Sequence, residues 1–91
     1  MTKGIKGNIN WSSKNVQLCE RIFLFCFEEK CMSGRINRLI KSKLPNQFEI
    51  HVDFIEPEFF KDELIVHNTF TIREASKVLG KGEVIEIIHY P

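Results

Sequence analysis

Cys31 is the residue of this chain best placed for nucleophilic chemistry. It follows Lys30 and precedes a segment, residues 33–44, in which apolar residues recur at helical spacing. A helix N-terminus and a neighbouring cation both favour a thiolate. The three cysteines match neither a zinc site nor a C-x-x-C pair in their spacing, and their odd number predicts reduced thiols. The sequence therefore leaves two interpretations of Cys31, a reactive thiol or a structural cysteine.

Two histidines and a carboxylate form the second candidate. His51 and Asp53 share one face of a predicted strand, and a hairpin centred near Phe59 would place His67 opposite His51. Such a set can ligate a metal or relay a proton. A shift of one residue in register would separate the histidines, and a polar outer sheet face explains the same pattern. We therefore predict no metal site and no cofactor.

A run of cations without an acidic residue occupies residues 30–48. On a helix these side chains spread over the solvent side and one flank. They could contact phosphate groups or an acidic protein patch, or they could form an ordinary solvated helix face. The residues of this predicted basic helix are Lys30, Arg35, Arg38, Lys41 and Lys43.

The stretch "RIFLFCF", residues 21–27, is apolar on both faces of a strand. If Ile22, Leu24 and Cys26 pack under helices, the phenylalanines lie on an open sheet face. An apolar patch of that size requires a cover, which could be a second copy, the N-terminal arm or a partner protein. The residues predicted for this sheet-face contact are Phe23, Phe25, Phe27, Phe70 and Tyr90.

The elements that would position these residues alternate between strand and helix. Residues 21–27, "QFEIHVDFIEP", "LIVHNTFTI" and "EVIEIIHY" have strand patterns, and a helix is predicted at 33–44. A capping box at Thr71 and Glu74 predicts a second helix that ends at Gly80. This order predicts an α+β, ferredoxin-like βαββαβ sandwich, with a four-stranded antiparallel sheet and two helices on one face. We expect one such domain at 19–91, preceded by an N-terminal arm or extra strand at 1–18.

The layout of residues 21–90 resembles the RNA-recognition motif. "RIFLFCF" is similar to the first-strand motif of that family, with Phe23 at the stacking position, and "TFTIREASKVLGKGEVIEI" has its rhythm from third strand to fourth strand. The third-strand signature of that family is basic–Gly–aromatic–Gly–aromatic, and "VHNTFTI" keeps only Phe70 in a comparable place. This resemblance implies binding of single-stranded RNA on the sheet face. "CMSG" at 31–34 also resembles the single-thiol turn of thioredoxin-fold and glutaredoxin-like proteins, which implies thiol-dependent oxidoreductase activity.

Composition favours an ordinary globular domain, with 43% hydrophobic and 27% charged residues. No run reaches the length of a membrane span, and the N-terminal residues lack the apolar core of a signal peptide, so we expect a cytoplasmic protein. The charge is asymmetric: residues 1–45 carry nine Lys/Arg against three Glu, and residues 46–91 carry four against nine Asp/Glu. This asymmetry indicates either complementarity within the fold or a surface suited to a charged partner or to a second copy.

Together these patterns predict a small non-enzymatic interaction module that binds a protein partner or itself through the open sheet face. The alternative is a domain that binds single-stranded nucleic acid, and the third possibility is a single-thiol enzyme.

Overall fold

The computed structural model describes residues 2–11, 21–60 and 62–89. Within them the chain forms six strands and one short 3₁₀ helix, Pro57–Phe60. The strands are β1 Thr2–Trp11, β2 Ile22–Phe27, β3 Lys30–Lys41, β4 Gln47–Phe54, β5 Thr69–Glu74 and β6 Lys77–His89.

The strands close into one antiparallel barrel in the order β1-β4-β3-β2-β5-β6. Closure depends on β1, which pairs with β4 on one side and with β6 on the other. The predicted ferredoxin-like sandwich is therefore wrong, and so is the predicted similarity to the RNA-recognition motif. The described residues contain neither of the two expected helices. The sheet face that was expected to lie open faces the interior of the barrel.

The first expected helix is strand β3, and a β-bulge explains the error. Ile36 pairs with Val52, but the register then shifts, so that Leu39 pairs with Ile50. A bulge inserts one extra residue, which changes the spacing of inward side chains from two to three. Ile36 and Leu39 therefore mimic the period of a helix although both belong to a strand.

The second expected helix is a β-hairpin. Thr71 and Glu74, the expected capping box, both lie in β5, and the chain turns at Ala75, which has φ 55°. Another register shift falls between Ile72 and Arg73. Of the apolar residues expected on one helix face, Ile72 and Leu79 thus belong to two paired strands, and Ala75 lies in the turn between them.

The interior of the barrel is filled mainly by aromatic and β-branched side chains. Along β4, Ile50, Val52 and Phe54 point inward and are buried, while the intervening residues remain partly exposed. Phe60 of the 3₁₀ helix closes one end of the barrel, with its ring centroid 4.9 Å from that of Phe27 and 5.2 Å from that of Phe54. The described part of the chain buries no polar or charged residue in this core.

Gly34 provides space for the large rings. It is the inward residue of β3 opposite Phe54, and a Cβ at this position would lie 2.8 Å from Val52 Cγ1 and 2.9 Å from Phe54 Cδ1. A neighbouring Phe25 carbon would lie at 3.1 Å. A glycine is needed here because the opposing side chains occupy the volume of a methyl group.

We expect Gly34→Ala to lower the free energy of unfolding by about 1–3 kcal/mol, because the added methyl overpacks the core. Arg35→Ala, which removes an exposed side chain at the next position, serves as the control and should cost about 0.5 kcal/mol or less. Urea denaturation followed by fluorescence measures both. Equal stabilities of the two variants would contradict this packing.

Candidate functional site

The aromatic residues predicted to form a contact face lie inside the barrel. Phe23, Phe25, Phe27 and Phe70 are each at most 3% exposed. Their ring centroids lie near one another or near other core rings, with Phe25 and Phe70 at 5.9 Å and Phe27 and Phe70 at 5.6 Å. These four residues form the core and offer no surface to a partner. Tyr90 lies outside the described residues.

The residues of the predicted basic helix are separated in the structure, with Lys30 at the start of β3 and the other four farther along that strand and in the turn after it. Arg35, Arg38 and Lys41 are exposed along β3, and Lys43 is exposed in the following turn. Lys30 lies at the other end of β3, where its Nζ is 2.9 Å from a carboxylate oxygen of Glu63 and 5.1 Å from the centroid of the Phe59 ring. The four remaining cations thus lie on a strand and its turn rather than on a helix.

Cys31 is bonded to another cysteine in the structure. It lies directly opposite Cys26 across the β2–β3 hairpin, and the two form a disulfide with a Cα–Cα distance of 4.1 Å. Cys26 is buried, whereas Cys31 is partly exposed on the outer side of the wall. The sequence predicted reduced thiols, and the cross-strand pairing that joins these two residues was missed because β3 was assigned to a helix.

The histidine set does not converge. β4 and β5 are not neighbours in the barrel, so the hairpin expected to bring His51 and His67 together is absent. Asp53 accepts a hydrogen bond from Asn37 at 2.6 Å, while His67 Nδ1 lies 3.4 Å from a Glu83 oxygen. Nε2 of His51 is shielded from solvent without a hydrogen-bond partner in the described structure. No three His, Cys, Asp or Glu side chains of the described ranges are grouped to hold a metal ion.

Charged side chains are sorted along the barrel axis. Residues 28–30, 55–60 and 62–68 form one end, here called the acidic end, and residues 21–22, 38–46 and 73–78 form the other, the basic end. Carboxylates at the acidic end are Glu28, Glu29, Glu56, Glu58, Asp62 and Glu63, with Lys30 as the described cation. Cations at the basic end are Arg21, Arg38, Lys41, Lys43, Arg73 and Lys77, with Glu74 as the described carboxylate.

Ion pairs within each end leave this separation intact. Glu63 neutralises Lys30 at the acidic end, and Glu74 neutralises Arg21 at the basic end, with N···O distances of 2.9 and 3.2 Å. The remaining carboxylates and cations at the two ends have no partner among the ion pairs of the described residues. Each end therefore presents an excess of one sign to solvent.

The exposed large apolar side chains lie at the same two ends. At the acidic end they are Ile55, Phe59, Ile65 and Val66, and at the basic end they are Ile22, Ile40, Leu44 and Val78. The most exposed is Ile55, at 63%. In the described part of the chain, all the exposed large apolar residues belong to one end or the other. Sequence reasoning missed them as a set, although "IEPEFF" and "ELIV" place apolar residues beside acidic ones.

Two depressions accompany these features. A cleft of about 420 Å³ at the acidic end lies between the β2–β3 turn and residues 62–68, and it is lined by the carboxylates Glu28, Glu29, Asp62 and Glu63 together with Lys30. A larger groove of about 810 Å³ runs over the wall, and its lining combines amide and hydroxyl side chains, among them Asn8, Asn10, Ser42, Gln47, Thr69 and Thr71, with the apolar Ile9, Phe48 and Phe70. The exposed large apolar side chains lie outside this groove, at the two ends, so the ends are the better candidates for binding a macromolecule.

The chain matches no protein-family model, and no curated protein is significantly similar to it in sequence. Among the described residues, no helix has the length and hydrophobicity needed to cross a membrane. Evidence on function therefore comes from the surface of the barrel itself.

Proposed function

We propose that this barrel is a non-enzymatic module that binds a protein partner through its acidic end. The partner presents a basic segment that also carries apolar side chains. The observation that carries this proposal is the group of exposed apolar residues at the same end of the barrel as six carboxylates, one of which pairs with Lys30. An apolar centre with a charged rim is the usual composition of a protein–protein contact.

The apolar centre consists of side chains that folding leaves in solvent. Ile55 and Ile65 are 63% and 58% exposed. Phe60, which lies in the same connection between β4 and β5, is by contrast fully buried. Burying apolar area in a complex is favourable by about 25 cal/mol per Å². Removing these isoleucines from water is therefore the main source of affinity that this end can offer.

The carboxylates determine which partner fits. Glu28, Glu29 and Asp62 line the cleft of this end, and a lysine or arginine of the partner can enter it, since the cleft's own Lys30 is paired with Glu63. Opposite charges at the rim raise the association rate and exclude acidic partners more than they raise affinity. The cleft thus selects a basic protein segment and repels nucleic acid phosphates.

A basic amphipathic peptide composed of leucine and lysine should bind the acidic end. We expect its addition to shift amide resonances in residues 28–30, 55–60 and 62–68 of the labelled protein, as measured by two-dimensional NMR. Ile55→Ser with Ile65→Ser should weaken binding about tenfold, because the apolar contact is lost.

The matched control is Ile22→Ser with Leu44→Ser, which makes the same chemical change at the basic end. This variant should bind the peptide as the wild type does. Equal weakening in both variants, or resonance shifts spread over the wall, would refute the assignment to the acidic end.

Single-stranded nucleic acid is the second candidate, and the exposed cations of β3 favour it. Arg35, Arg38, Lys41 and Lys43 follow one another along the strand and its turn, and none belongs to an ion pair of the described residues. They could contact a phosphate backbone. Base stacking, however, has no support from the phenylalanines predicted for it, because they are buried.

If β3 contacts phosphate, Arg38→Gln should lower the salt dependence of binding to single-stranded oligouridine. The slope of log K against log salt should fall in magnitude by about 0.7, the value for one phosphate contact on a single strand. Fluorescence anisotropy at several salt concentrations measures it. Lys3→Gln, which removes a cation from β1, should leave the slope unchanged, and an equal effect of both variants would exclude a site on β3.

A cytoplasmic location, which the sequence predicted from its cysteines as reduced thiols, stays part of the proposal. The Cys26–Cys31 disulfide bears directly on this location, because disulfides persist in oxidising compartments and are rare in the cytosol.

A further inference from the structure

We propose that the partner of the acidic end is the basic end of a second copy of this chain, so that barrels associate head to tail. This inference rests on the proposed function, because it names the partner of the same surface. It is carried by the complementarity of the two ends in charge and in exposed apolar residues.

The charges of the two ends are opposite and similar in number. Within the described residues of these ranges, each end has six residues of its own sign and one of the other sign, which is held in an ion pair within that end. Glu49, which lies opposite Ile40 of the basic end, forms its ion pair with Lys6. Lys41 and Lys43 extend from the basic end, and Glu28 and Glu29 extend from the acidic end at the β2–β3 turn. Contact between unlike ends brings opposite charges together, whereas contact between like ends is repulsive.

The apolar residues of the two ends also correspond. Each end exposes four large apolar side chains, so each can cover those of the other. A contact that covered a whole cross-section of the two shorter dimensions of the molecule, 27 and 23 Å, would bury at most about 1,000 Å² over both copies, which is the lower limit for specific interfaces. We therefore expect a weak, reversible association that depends on concentration and salt.

The geometry determines the type of assembly. The contact joins two different surfaces, so a bound barrel still presents one free end of each kind to further copies. Such heterologous contacts produce open chains or closed rings rather than symmetric pairs. The average mass should therefore rise continuously with concentration instead of stopping at a dimer.

Light scattering on the wild type and on two end variants tests this arrangement. The acidic-end variant is Ile55→Ser with Ile65→Ser, and the basic-end variant is Ile22→Ser with Leu44→Ser. All four residues are exposed, so NMR spectra should show that both variants remain folded. We expect the mass of the wild type to rise with concentration and to fall again when salt is added.

Each variant alone should associate at least tenfold more weakly than the wild type. Mixing the two variants should restore association but should stop at twice the monomer mass, because each copy keeps one functional end. A wild type that remains monomeric, or a mixture that remains monomeric while the wild type associates, would overturn the head-to-tail proposal.

The peptide titration separates this failure from failure of the proposed function. A wild type that binds the leucine–lysine peptide at the acidic end but remains monomeric overturns self-association alone. If the wild type associates and both variants associate as strongly as it does, a second copy does not bind through the ends. That result overturns the head-to-tail proposal whether or not the peptide binds.

Discussion

Closure of the sheet around its aromatic side chains is the constraint on which the rest of the structure depends. β2 has apolar residues on both faces, and Phe23, Phe25 and Phe27 would form an exposed aromatic patch if the sheet stayed open. Pairing of β1 with β4 and with β6 turns that face inward. The rings then pack against one another, and Gly34 provides the space they need. A barrel also removes the unpaired strand edges that an open sheet would expose.

Closure determines where the chain can bind a partner. Once the aromatic face is interior, the wall is mostly polar and paired, as in the contacts of Lys6 with Glu49 and Lys3 with Asp53. The exposed large apolar residues of the described chain lie at the two ends. The charge separation between the ends differs from the charge asymmetry of the sequence, because Glu28 and Glu29 of the acidic end come from the basic half of the chain, and Arg73 and Lys77 of the basic end come from its acidic half.

Sequence patterns located some strands correctly but could not show how they assemble. Residues 21–27 and 47–57 were expected as strands because of their composition and alternation, and β2 and β4 lie within those ranges. The bulge at Ile36–Arg38 gave β3 a helical spacing, and the glycine at position 7 interrupts the alternation of β1. Pairing of β1 with β6 joins the two ends of the sequence, and no local pattern encodes such a contact. The candidate ends were missed for the same reason, since they form only when distant segments meet.

The most direct test of closure is a nuclear Overhauser measurement at Lys6 of β1. In the closed barrel Lys6 lies between His51 of β4 and Glu86 of β6, so its backbone protons should show cross-strand contacts with both residues. Contacts with His51 but none between β1 and β6, or helical connectivities through residues 33–44, would contradict the account.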